Sequence, residues 1–98
     1  MSKAPSRPFD SADYIDTPEA VAAYLEAALE DGDAQIIAAT LGDIARSKGM
    51  AIIAERTGLA REALYKSLSA DGNPRLTTLL SVLKAMGLRL SVTAEAAA

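Results

Sequence analysis

Residues 50–69, MAIIAERTGLAREALYKSLS, leave few folds open to this chain. An apolar-periodic helix carrying Met50, Ile53 and Ala54 runs into Thr57-Gly58-Leu59, and a second short helix is expected over residues 60–68. Ala54 offers the small side chain that two steeply crossing helices need. Gly58 stands where the chain must turn sharply, and a residue free to take positive φ is favoured there. Leu59, Leu64 and Leu68 would face inward from the second helix. Arg61, Glu62, Tyr65, Lys66 and Ser69, at i, i+1, i+4, i+5 and i+8, would occupy its other face. This is the pattern of a helix-turn-helix, and an exposed helix face bearing Arg, Glu, Tyr and Lys suits a DNA major groove.

The flanking sequence supplies further helices. Residues 1–16 contain Pro5 and Pro8 and no helical period, so they read as an arm that Phe9, Tyr14 and Ile15 could anchor. Thr17-Pro18-Glu19 is a helix start: Thr17 can cap, Pro18 fits the first turn and Glu19 complements the helix dipole. That helix should bury Val21, Leu25, Ala28 and Leu29 and stop at Asp31-Gly32. Asp33 caps the next, which should bury Ile37, Leu41, Ile44 and Ala45 and end near Gly49. After the turn cluster of residues 70–74, a fifth helix over 76–86 places Leu76, Leu79, Leu80, Leu83 and Met86 at core spacing and closes at Gly87. Residues 88–92, Leu-Arg-Leu-Ser-Val, alternate as a strand does; the partner could be the arm, a second copy or another protein. The expectation is an all-α, five-helix domain over residues 17–93 with a short C-terminal strand, a preceding arm and a frayed tail at 94–98.

Charge is divided along the chain. Through Ala45, Lys3 and Arg7 face nine carboxylates, a balance of -7. Between Arg46 and Arg89, eight basic residues face Glu55, Glu62 and Asp71, a balance of +5. The overall charge of -3 therefore hides a basic half that could meet phosphate and an acidic half that could meet a basic protein. The chain has no Cys and no His, which excludes disulfides, thiolate metal sites and the commonest general base. Asp10/Asp13/Asp16 and Asp31/Asp33 read as turn and capping residues, Ser67 and Ser69 have no histidine to activate them, and no Gly-rich phosphate loop is present. No enzyme activity, cofactor or metal is expected. No apolar run approaches the roughly 18 residues that span a bilayer, and the amino-terminal residues lack a signal-peptide core, so a soluble cytoplasmic protein is expected.

The segments YIDTPEAVAAYLEAALEDGD (14–33), LGDIARSKGM (41–50), LYKSLSADGNP (64–74) and LLSVLKAMGLRLSV (79–92) together resemble the HigA-like addiction module antidote proteins. These are antitoxins of type II toxin–antitoxin operons. The resemblance covers almost the whole chain in order. It implies a lambda-repressor-like helix-turn-helix of the phage-repressor (Xre) class and a homodimer that represses its own operon. It also implies binding and neutralisation of a basic RelE/ParE-like (HigB-type) toxin. Two positions depart from the repressor class: Ala60 stands where Ser or Thr commonly caps the recognition helix, and Ser67 where an apolar residue is common. A stand-alone phage-type repressor, or an interaction module that never reads DNA, would also fit the residues.

The DNA-contact candidates follow from geometry and chemistry. Arg61 can place two hydrogen bonds on a guanine edge, and Glu62 can accept from cytosine N4. Tyr65 and Lys66 suit phosphate as well as bases. Lys48, Asn73 and Arg75 lie in flanking turns where phosphate clamps often sit, and Met50 and Ala51 could approach the backbone through their amides.

Overall fold

Two side-chain caps start the fold. In the computed structural model, which describes residues 17–95, the Thr17 hydroxyl accepts a hydrogen bond from the Ala20 amide (3.1 Å) and opens helix α1 (Pro18–Asp31). Pro18 and Glu19 occupy its first turn, as expected. The Asp33 carboxylate accepts from the amides of Gln35 (2.9 Å) and Ile36 (3.4 Å) and opens α2 (Ala34–Lys48). Then follow α3 (Met50–Thr57), α4 (Arg61–Ser67) and α5 (Leu76–Ala85). The expected arm with Phe9, Tyr14 and Ile15, and residues 96–98 of the tail, lie outside the described residues.

A single residue joins α2 to α3. Gly49 has φ 106° and ψ 108°, a conformation that L side chains rarely adopt. Its amide donates to the carbonyls of Ala45 and Arg46, and its own carbonyl accepts from Ile52 and Ile53. The same residue thus closes one helix and begins the next.

One apolar cluster holds the five helices. Val21 and Leu25 come from α1, Leu41, Ile44 and Ala45 from α2, Met50 and Ile53 from α3, Leu64 and Leu68 from α4 and its end, and Val82, Leu83 and Met86 from α5 and its end. Helix α1 packs on α2, α2 on α3 and α4, and α3 on α4 and α5. Burial of each large aliphatic side chain in this cluster is worth about 1.5–3 kcal/mol. The α2–α4 approach is close because Gly42 has no side chain: a Cβ there would lie 2.0 Å from the Leu68 carbonyl oxygen. A polar clasp adds to the packing, as the Arg56 guanidinium of α3 donates to the Ala85 carbonyl at the end of α5 (3.0 Å).

Three expectations need correction. Leu29, Leu76 and Leu80 are 44%, 65% and 44% exposed rather than buried. They lie on the flank of their helices' apolar stripes and are not enclosed by the other described helices. Val82, at 0% exposure, is in the α5 core instead. The third correction concerns residues 88–92, which form no strand. Leu88 still packs against the core and donates its amide to Leu83. Beyond it no ladder partner exists among the described residues, and the backbone of this exposed stretch is left to water.

Candidate nucleic-acid interface

The α3–α4 connection is built by local hydrogen bonds. Gly58 takes the left-handed conformation (φ 76°) that ends α3, and its amide donates to Ala54 (2.8 Å). The Thr57 hydroxyl donates to the Ile53 carbonyl (2.8 Å) and accepts from the Leu59 amide (3.2 Å). Thr57 therefore satisfies both the end of α3 and the start of the turn. Leu59 packs against the core, and Leu64 and Leu68, 1% and 0% exposed, fasten α4 to the other helices.

That anchoring decides what α4 presents. Arg61, Glu62, Tyr65 and Lys66 are all exposed and share the outer arc of the helix, as their spacing requires. Ser69 is only half exposed, and its hydroxyl donates to the Lys66 carbonyl (2.9 Å), so it serves the helix end. Gly72 draws the following turn tightly onto α4: a Cβ there would stand 2.2 Å from the Ser67 carbonyl oxygen. Asn73 and Arg75 are exposed in and after this turn, while Lys48 is half-buried in the last turn of α2. The α4 quartet is thus brought together on one face. Lys48 and Arg75 belong to other helix ends, and Asn73 to the turn between α4 and α5.

The helix starts differ in charge. Neither Gly49, Ala60 nor Arg75 provides a side-chain cap for α3, α4 or α5. Arg61 is the first residue of α4 and Arg75 the N-cap of α5, so two guanidinium groups sit at the positive ends of helix dipoles. Glu62 offsets this in α4; the first turn of α5 has no acidic residue. Lys48 complements the carboxyl end of α2 one residue before the Gly49 cap of α3. Arg56, by contrast, is exposed but engaged by the Ala85 carbonyl of α5. Sequence reading missed that clasp because it depends on where α3 and α5 come to rest; it also missed the bonding role of Thr57, although that role is local.

The model of a family described as "probable addiction module antidote protein" matches residues 6–94. The chain belongs to this family. A Haemophilus influenzae protein described as uncharacterized is 40% identical over 84 residues, which cover 86% of this chain and 87% of that protein. No solved structure matches the chain. Membership of an antidote family points to an antitoxin role and implies a toxin as partner. No described helix is long and apolar enough to cross a membrane.

Proposed function

We propose that this antidote protein is a cytoplasmic type II antitoxin that binds its own operator as a homodimer and neutralises a RelE/ParE-like (HigB-type) toxin. In this reading α3, the Thr57–Gly58–Leu59 turn and α4 act as a helix-turn-helix of the phage-repressor class, with α4 in the major groove. Arg61 reads a base edge, Lys66 and Tyr65 contact phosphate or bases, Glu62 borders the base-reading face, and Lys48, Asn73 and Arg75 hold the sugar–phosphate backbone. The observation that carries the DNA-binding half is the placement of Arg61 and Arg75 at uncapped helix starts. Cations there cost the free chain stability, and a phosphate reverses the sign of that cost by supplying an acceptor and a counter-charge together.

The toxin-binding half falls to the other end of the molecule. Leu29 and Ile36 are 44% and 45% exposed on either side of the α1–α2 corner, among Glu26, Glu30, Asp31 and Asp33. Exposed apolar side chains ringed by carboxylates suit a partner with an apolar centre and a basic rim. The role is binding, without catalysis, cofactor or metal.

The test is a salt titration of the purified chain on DNA from immediately upstream of its operon, beside a scrambled duplex. Operator-selective binding whose affinity falls steeply with salt is expected. Equal, weak binding to both duplexes, with and without the toxin, would refute the repressor half.

A further inference from the structure

The carboxy-terminal segment is self-complementary, and we infer that it pairs with the same segment of a second copy as a two-stranded antiparallel ribbon centred on Val92. This rests on the homodimer of the proposed function and supplies its interface. Helix α5 ends at the Met86–Gly87 turn, and Leu88 fastens the root of the segment to the core. From there Leu-Arg-Leu-Ser-Val-Thr-Ala-Glu alternates without interruption through residues 88–95. The even positions are apolar and the odd ones polar, so an extended chain has one face of each kind. No backbone hydrogen bond ties residues 89–95 to the rest of the described chain, and Leu90 and Val92 are 43% and 95% exposed. An apolar face with an open backbone edge invites strand pairing.

Charge and parity select the occupant and the register. Antiparallel pairing about a two-fold axis at Val92 sets Val92 against Val92, Ser91 against Thr93, Leu90 against Ala94 and Arg89 against Glu95. Every apolar residue meets an apolar residue, and both charges of each copy meet the opposite sign. Shifting one strand by a single residue would set apolar against polar throughout. Centring on Leu90 keeps the parity but sets Arg89 against Ser91, leaves Glu95 unpaired and shortens the ladder. A second copy is thus the partner whose sequence the segment already matches, as an isologous interface requires. Two strands alone are marginal, so the anchored Leu88 at each end of the ribbon is needed to seat it.

The full-length chain tests this directly, because it contains no Cys. Val92→Cys should form an intermolecular disulfide readily under mild oxidation, since directly opposed strand residues have Cα separations within disulfide range. Leu90→Cys should not do so at a comparable rate. By analytical ultracentrifugation, Arg89→Glu and Glu95→Arg should each weaken the dimer by about tenfold, as like charges then oppose twice per interface. The double variant should restore it, a rescue that a purely structural role for either residue would not give. Helix content should stay constant throughout, because all four positions are exposed. A monomeric wild type, a dimer indifferent to both single reversals, or equal crosslinking at 90 and 92 would overturn the inference. Operator binding by the same variants separates the two ideas. An intact dimer without operator selectivity refutes the repressor reading alone, and operator binding by a dimer indifferent to the reversals refutes the ribbon alone.

Discussion

The first two helices and the last three begin in opposite ways. Helices α1 and α2 start at Thr17 and Asp33, whose side-chain oxygens accept amide hydrogen bonds, and α1 has Glu19 in its first turn. Helices α3, α4 and α5 start at Gly49, Ala60 and Arg75 without side-chain caps, and α4 and α5 carry arginine there. The first pair satisfies its own ends and surrounds them with negative charge. The last three depend on packing for their stability and leave their starts to whatever anion approaches. Under the proposed function the capped starts serve stability and the uncapped ones recognition, and each half can be perturbed to test that division.

The largest effect should come from removing the packing on which the uncapped half depends. Helix α4 has seven residues, too few to persist alone, so Leu64 and Leu68 must hold it. Leu64→Ala should lower the unfolding free energy by about 2–5 kcal/mol in urea titrations. A loss below about 1 kcal/mol would mean that α4 is held by something other than the shared core. Next comes the joint between the halves. Gly42→Ala forces a methyl group onto the Leu68 carbonyl and should cost about 1–3 kcal/mol. An unchanged melting temperature would show that α2 and α4 can separate without loss.

Two further substitutions should separate the duties. Arg61→Ala should cost about 1–3 kcal/mol in operator affinity while leaving urea unfolding within about 0.5 kcal/mol of the parent. Unaltered affinity would remove Arg61 from the reading role. Asp33→Ala should do the reverse, lowering stability by about 1 kcal/mol through loss of the α2 cap with no change in operator binding. If both variants changed both quantities, the division of duties would not hold.

What could be read in advance follows the same line. Helix starts and stops were legible at Thr17, Gly32, Asp33, Gly49 and Gly58 because caps and left-handed turns are decided by a few consecutive residues. The outward set Arg61, Glu62, Tyr65 and Lys66 was legible because helical spacing fixes which residues share a face. Spacing does not say how far a neighbour extends, and Leu29, Leu76 and Leu80 therefore came out exposed. Alternation over residues 88–92 describes the surface a strand would have, but a ladder needs a second strand that the described residues do not supply. The Arg56–Ala85 clasp spans 29 positions, and no local rule could pair those residues. A glycine inside the α2 pattern was the available hint of close approach at Gly42.

The smallest expected effect tests the comparison most sharply, because it should move the two duties in opposite directions. Ala60 already has the extended backbone of an N-cap (φ -69°, ψ 140°), so a capping side chain can be added without rearrangement. Ala60→Ser should raise stability by about 0.5–1 kcal/mol, since α4 gains the bond that Thr17 and Asp33 give α1 and α2. Ala60→Asp should stabilise the free protein at least as well, because its charge also opposes Arg61 and complements the dipole. On DNA the two should diverge. The serine hydroxyl is neutral and can rotate aside, whereas the aspartate holds negative charge where a phosphate would lie. Ala60→Asp should therefore weaken operator binding while Ala60→Ser changes it little, with the difference shrinking as salt rises. Stabilisation by both with no divergence on DNA would mean that the missing cap of α4 is an accident of sequence and that its amides serve no ligand.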